Sequence, residues 1–374
     1  MSRPGERDTV TESLLDVGVV DGTTTAAGLR PEKFNRHTFW CGQSGSGKTY
    51  ALGVVLEELL LRTALPLVII DPNADFVRLG EVRDGVDSSA GDALRARDIR
   101  VLRPAHQGTD ALRARFSTML PQSKAAIMRL DPIVDRLEYN AFLHLSDSAE
   151  TLDASTLIGR LRSSDDPGQL AIAQRIENLG LLEWQIWAGE HPAASEIIAE
   201  RPDATVLDIG GFAHPDESLS VVLAVLDDLW LRREERRPVL LVIDEAHNVS
   251  SPELSGTLGV AVRERIIQIA AEGRKYGIWM LLSTQRPSKV HPGVISQCDN
   301  LGLMKMSSPA DLAELGDVFG FVPSELFARA STFEQGQALL AGGFAPTDGV
   351  VRMRARYTHE GGADVRVPLR GQAG

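Results

Sequence analysis

Apolar positions along the chain follow two rhythms. Short, fully apolar runs of strand length, such as Leu65–Ile70 and Val239–Ile243, alternate with stretches whose apolar residues recur at helical spacing. Within Thr49–Arg62 these are Leu52, Val55, Leu56, Leu59 and Leu60. The pattern predicts strands at His37–Cys41, Leu65–Ile70, Ile99–Arg103, Thr205–Ile209, Val239–Ile243 and Ile278–Ser283. Leu301–Met306, Gln337–Ala341 and Val350–Tyr357 make a strand-rich end, and helices are expected over Thr49–Arg62, Leu219–Glu234 and Leu258–Tyr276. Strands alternating with helices specify an α/β fold, a mainly parallel sheet flanked by helices.

Two segments break the alternation. Residues 1–34 lack strong periodicity, contain Asp21-Gly22-Thr23-Thr24-Thr25, and read as a loosely ordered extension with a short helix around Thr11–Leu15. Residues 104–203 read as a mostly helical insertion, with helices at Lys124–Leu145, Leu157–Arg162 and Leu170–Ala188 separated by polar links such as Ser163-Ser164-Asp165-Asp166-Pro167-Gly168. The expected organisation is an extension (1–34), an α/β domain (35–357) carrying that insertion, and a tail (358–374).

Composition narrows the class. The 374 residues are 43% hydrophobic and 24% charged, which suits a globular chain and excludes a largely disordered one. Two cysteines, Cys41 and Cys298, lie far apart, so no disulfide framework is expected and a reducing cytoplasm is the simplest setting. The start of the chain has no apolar signal segment, and no apolar run approaches the roughly 18 residues of a spanning helix, so a membrane partner would be peripheral. The net charge of −12 argues against a general nucleic-acid coat protein. Yet Arg95, Arg97, Arg100, Arg103, Arg113, Arg115, Lys124 and Arg129 face only Asp98 and Asp110 within their own stretch. Either a solvated face or a polyanion-facing surface accounts for that bias.

Candidate chemistry starts where the first core strand ends. Gly42-Gln43-Ser44-Gly45-Ser46-Gly47-Lys48-Thr49 fits G-x-x-x-x-G-K-[ST] between a predicted strand and a predicted helix. Glycines let backbone N–H groups converge on phosphate oxygens, and the helix N-terminus adds partial positive charge. Residues Gly42 to Tyr50 are therefore expected to bind ATP. Lys48 would reach the β- and γ-phosphates, and Thr49 would hold Mg²⁺. The strand Val239–Ile243 delivers Asp244-Glu245-Ala246-His247 at its C-terminal end, where open α/β sheets bind ligands. Asp244 would hold Mg²⁺ and Glu245 would polarise the attacking water, the two side chains being expected on opposite faces. His247 is expected to tune polar contacts rather than bind metal, because no second His or Cys stands at ligand spacing around it.

Three further positions follow. Gln285, in Ser283-Thr284-Gln285-Arg286-Pro287, ends the strand beside the acidic one and is the candidate γ-phosphate sensor. Arg274, in Glu272-Gly273-Arg274-Lys275-Tyr276-Gly277, stands where a plain helix C-cap and a catalytic cation are both reasonable. Asp71, in Asp71-Pro72-Asn73-Ala74-Asp75-Phe76, either joins the water and Mg²⁺ network or shapes the turn.

In this order the motifs resemble the HerA branch of the HerA/FtsK ATPases, DNA translocases with a RecA-like core. The resemblance spans about 36–357, and the Glu272–Gly277 and Thr284–Pro287 pairing is its most selective part. It implies hexameric rings with ATP at subunit interfaces, Arg274 as an arginine finger for the neighbouring site, Gln285 as sensor, and double-stranded DNA in the channel. It also implies a nuclease or effector partner. About 35 residues precede the first core strand, too few for the family's usual N-terminal β-barrel, and Ala74-Asp75-Phe76 departs from the usual Gly-Glu-Tyr-like ending. The expected function is a cytoplasmic, Mg²⁺-dependent ATPase moving on or remodelling double-stranded DNA. Its rivals are a conjugation or secretion ATPase and a nucleotide-gated scaffold that licenses a nuclease.

Overall fold

The computed structural model describes residues 14–86, 88–107, 110–146 and 154–362. Among them eleven strands form one sheet: β1 (Leu15–Val20), β2 (Ala26–Leu29), β3 (His37–Cys41), β4 (Leu67–Asp71), β5 (Ile99–Leu102), β6 (Ala204–Asp208), β7 (Val239–Ile243), β8 (Ile278–Thr284), β9 (Cys298–Leu303), β10 (Gln337–Gly342) and β11 (Gly349–Met353). The order is β2-β1-β11-β10-β9-β3-β8-β7-β4-β6-β5. From β9 to β5 every neighbour is parallel, whereas β10, β11, β1 and β2 continue as an antiparallel meander.

The apolar runs are explained by burial on both faces. Leu240 and Val242 of β7 point into one core with Leu52, Val55, Leu56 and Leu59 of α1 (Lys48–Arg62). Leu241 and Ile243 point into the other, with Val222 and Leu226 of α2 (Pro215–Leu231) and Val262 and Ile266 of α3 (Gly256–Glu272). The insertion lies between β5 and β6 and packs on this second face.

The structure corrects several expectations. The described part of the extension, from residue 14, belongs to the sheet: β1 pairs with β11 and β2 with β1, and Leu15, Val17 and Leu29 are fully buried. The expected helix at Thr11–Leu15 is not formed at Leu15, which starts β1; Thr11 to Ser13 lie outside the described residues. At the other end, Thr358 is buried, its backbone N–H and hydroxyl both donating to Glu57 at 2.7 Å, so the described start of the tail is docked on α1. Residues 363–374 of that tail are outside the described residues.

The insertion contains the helices Pro121–Ile127, Arg136–Ser146, Ala154–Arg162, Pro167–Asn178 and Ala194–Ala199. The single helix expected over Lys124–Leu145 is split at Asp131-Pro132. There the Asp131 carboxylate takes the N–H groups of Ile133 and Val134, and Arg129 turns left-handed at φ 51°. The helix expected to reach Ala188 stops at Asn178, just before Gly180 at φ 61°. The basic bias is largely neutralised by acids that, except for Asp98, are distant in sequence. Arg97 pairs with Asp203, Arg100 with Asp98 and Glu200, Arg103 with Asp208, Arg115 with Glu196, and Arg129 with Asp216.

Buried His37 fastens β3 to its neighbours. Its Nδ1 accepts from the Met280 N–H at 2.9 Å, so the ring proton sits on Nε2 and is donated to the Ala270 carbonyl at 3.0 Å. Burial, followed by the positive charge of Arg274, pulls its pKa down to about 4.

Two measurements check this architecture. In urea unfolding, Leu15→Ala should cost about 2–5 kcal/mol, because it empties a closed core site; a loose extension would register no more than about 0.5 kcal/mol. His37 is neutral in the folded chain until far below the pH at which the unfolded chain protonates it. Its contribution is therefore present above pH 6.5 and lost as pH falls towards 4. The stability gap between wild type and His37→Gln should narrow by about 2 kcal/mol between pH 7 and pH 4.5.

Candidate active site

β3 is buried along its whole length and releases the chain at Cys41 into the glycine loop. Gly45 and Gly47 take φ values of 75° and 85°, the left-handed region a side chain disfavours, and a Cβ on Gly42 would lie 2.7 Å from the Ser46 hydroxyl. The loop is tied down from outside. Gly42 N–H donates to the Thr284 carbonyl at 3.3 Å, Gln43 N–H to the Lys305 carbonyl at 2.9 Å, and the Gln43 side-chain oxygen accepts from Ser307 N–H at 2.9 Å. Gly47 caps α1 without a side-chain hydrogen bond, leaving the first amides of the helix open to an anion. Ser44 and Gly45 are exposed, and Thr49 opens the helix half-buried. The Tyr50 hydroxyl accepts from Arg356 N–H at 2.8 Å and from Arg83 at 3.2 Å.

Lys48 turns inward and is 4% exposed. Its ammonium donates to Asp244 Oδ1 and to the Ser283 hydroxyl, each at 2.8 Å, and lies 3.3 Å from Glu245 Oε1. Burial opposes its charge, but Asp244 and Glu245 outweigh that and raise its pKa. The expectation that the adjacent carboxylates face opposite ways fails. Both lie past the end of β7, and Glu245 adopts φ 43°, a conformation rare for its residue type, which turns its carboxylate back onto Lys48.

Glu245 is further held by the Gln285 side-chain amide at 2.6 Å and by His247 Nδ1 at 3.2 Å, and His247 also meets the Thr284 hydroxyl at 3.0 Å. Burial works against its charge. The contacts with His247, Lys48 and Gln285 prevail and hold its pKa near 2. Lys48, Asp244, Glu245 and Gln285 are thus assembled by one chain.

Arg274 is not part of that assembly. It precedes β8, whose far end carries Gln285, and seven residues of strand separate the two edges by about 20 Å. There Arg274 pairs with Asp299 at 2.5 Å, beside Arg36 at 3.5 Å from the same carboxylate.

Asp71 ends β4. Its carboxylate takes the N–H groups of Asn73, Asp75 and Phe76 at 3.3, 3.0 and 2.8 Å, so it does shape the turn. It also faces the site: Asp71, Asp75 and Asp244 each offer an oxygen, all within 4.8 Å of one another. Burial above all pushes Asp71 up to about 7 and Asp75 up to about 6, with Asp244 adding repulsion to both. Asp244 Oδ2 is buried without a hydrogen-bond partner. An orphaned carboxylate oxygen beside two more carboxylates fits a divalent cation. Sequence reasoning assigned no chemistry to Asp75 or Ser283. Their signals were position alone: a carboxylate four residues past Asp71, and a hydroxyl level with Asp244 on the neighbouring strand.

Comparisons with known proteins bear on the family and the fold. The family model described as "Helicase HerA, central domain" matches residues 15–227. The DNA double-strand break repair helicase HerA of Sulfurisphaera tokodaii is 29% identical over 116 residues, 31% of this chain and 23% of that protein. A Methanocaldococcus jannaschii protein named as a probable helicase is 26% identical over 152 residues, 39% of this chain and 29% of its own length. The alignments therefore reach less than a third of either relative. Among solved structures, VirB4 of Thermoanaerobacter pseudethanolicus superposes with a TM-score of 0.57 at 14% identity, covering 94% of this chain and 98% of that one. The bacterial conjugative coupling protein TrwB gives 0.56 at 14% identity, covering 94% and 91%; at such identity the likeness is one of fold. No described helix is long and apolar enough to cross a membrane. The family match runs from β1 into α2, more than half of the chain, and the protein belongs to the HerA helicase family of P-loop ATPases.

Proposed function

We propose that this chain is a Mg²⁺-dependent ATPase that translocates on or remodels double-stranded DNA as a hexameric ring. The observation that carries the reading is the convergence of Lys48, Asp244, Glu245 and Gln285 beside the glycine loop, with Arg274 at the opposite edge of the sheet.

ATP phosphates would enter the nest of amides at Gly42–Tyr50 and draw Lys48 away from its two carboxylates. Thr49 and Asp244 would hold Mg²⁺, which neutralises charge on the phosphates. Glu245, ionised in the resting site, would orient the attacking water and accept its hydrogen bond. Once Lys48 leaves, Glu245 loses a compensating charge and becomes a better proton acceptor. Gln285 holds Glu245 in place and would sense the γ-phosphate. Arg274, too far to serve its own chain, would serve the next subunit's site by stabilising charge that develops on the transferred phosphoryl group. A nuclease or effector docked on the ring would use the motion, and the setting would be cytoplasmic.

ATP turnover with and without linear double-stranded DNA tests the reading. Wild type should be stimulated by DNA, and Glu245→Gln should still bind ATP while losing about a hundred-fold or more in kcat. Hydrolysis indifferent to DNA, with no DNA binding at low salt, would overturn it. A mixing experiment tests Arg274. Lys48→Ala and Arg274→Ala chains should each be inactive, and their mixture should recover activity, because hybrid interfaces pair an intact glycine loop with an intact arginine. An arginine acting within its own chain would give no recovery.

A further inference from the structure

Four carboxylates crowd the floor of the site. Asp71 and Asp244 are buried, Glu245 is 4% exposed and Asp75 is half-buried. Lys48 contacts Asp244 and Glu245, whereas no ion pair reaches Asp71 or Asp75 among the described residues. Closely spaced carboxylates removed from water need a compensating cation.

The free atoms converge. Asp244 gives Oδ1 to Lys48 and keeps Oδ2 buried and unpartnered. One oxygen from each of Asp71, Asp75 and Asp244 lies within 4.8 Å of the others. Oxygens on opposite sides of one hard divalent ion stand about 4 Å apart for Mg²⁺ and about 5 Å for Ca²⁺, so this is the spacing a single ion bridges. The ligand set is also built before any ion arrives. Asp71 is aimed by three backbone N–H groups of its own turn, two on Oδ1 and one on Oδ2, and Oδ2 retains a lone pair for a cation. Ala74, at φ 58°, folds the turn back, and Gly361 N–H donates to the Asp75 carbonyl at 3.0 Å, fastening the turn from the C-terminal side.

We propose that Asp71 and Asp75 join Asp244 in a site for a hard divalent cation that loads before nucleotide binds. This rests on the reading of the glycine loop as the nucleotide site, and it changes the order of events there. The ion does not arrive only as a companion of ATP; it is held by the chain through carboxylates at and just beyond the ends of two neighbouring strands, β4 and β7. Asp244 links the two cations, taking Lys48 on one oxygen and the divalent ion on the other, so phosphates entering the loop meet an ion already in place.

The test is Mn²⁺ binding to the nucleotide-free, metal-stripped full chain, read from loss of the free-ion paramagnetic resonance signal. The expected result is one Mn²⁺ per chain, displaced by excess Mg²⁺. Asp75→Asn removes no hydrogen bond from that carboxylate among the described residues, and it should weaken binding about ten-fold or more at an unchanged thermal midpoint. Asp71→Asn should do the same, with its midpoint reporting any damage to the turn. Absence of binding without nucleotide, or an unchanged affinity in Asp75→Asn, would overturn the inference. Binding of an ATP analogue, measured alongside, separates the two readings. If the analogue binds but Mn²⁺ does not bind without it, the ATPase proposal stands and the preloaded site falls. If no analogue binds even with Mn²⁺ present, the ATPase proposal falls.

Discussion

A buried ammonium is the constraint on which this site turns. Lys48 sits 4% exposed, and a charge so placed is tolerated only with partners in contact. Asp244, Glu245 and the Ser283 hydroxyl supply them, and each comes from a different turn of chain than the glycine loop. Their meeting depends on strand register. Cys41 stands level with Thr284 across β3 and β8, and Ile243 with Leu282 across β8 and β7, so Asp244 and Ser283 leave the sheet side by side opposite the loop. A slip of one residue would turn these side chains to the other face. Two cores, one on each side of the sheet, prevent it, because every alternate residue of β7 belongs to one or the other.

What could be read from the sequence was what local chemistry dictates. The glycine loop is legible because its backbone demands glycine at particular positions, and the acidic pair because an apolar strand ends there. β1 and β2 were hidden because β1 pairs with β11, more than 300 residues away, β2 is held only by β1, and the apolar alternation of β1 covers only Leu15 and Val17 before Gly18 interrupts it. The arginine-rich stretch stayed ambiguous for a related reason: its acids at Glu196, Glu200, Asp203, Asp208 and Asp216 come from the far side of the insertion. Asp75 carries no local mark beyond its place four residues past Asp71. It matters only because β4 and β7 are neighbours, which brings it to Asp244.

The opposing faces expected of Asp244 and Glu245 fail for an instructive reason. Alternation holds inside a strand, and β7 ends at Ile243. Glu245 then enters the left-handed region, and its carboxylate is held by Lys48, His247 and Gln285. Those contacts offset the strain and also lower its pKa, so the conformation and the ionisation of the residue have the same causes.

The same sheet gives a physical route between sites. β8 carries Gln285 past one end and Arg274 before the other, is hydrogen-bonded in parallel on both sides, and is fastened at Met280 by His37. A strand so held is braced against local bending, so that a displacement at one end would be felt at the other. If Arg274 serves a neighbouring site, the rod that positions it begins at the residue touching Glu245. Loss of the γ-phosphate from one site would then reach the next through displacement of β8, without a chain of side-chain rearrangements. The Arg274–Asp299–Arg36 cluster sets the resting position of that rod, since a finger paired with Asp299 must leave it to reach a phosphate. On that reading both ends of the mechanism would use one device: Lys48 and Arg274 each rest on carboxylates of their own chain, and each would be released by a phosphate that competes for it.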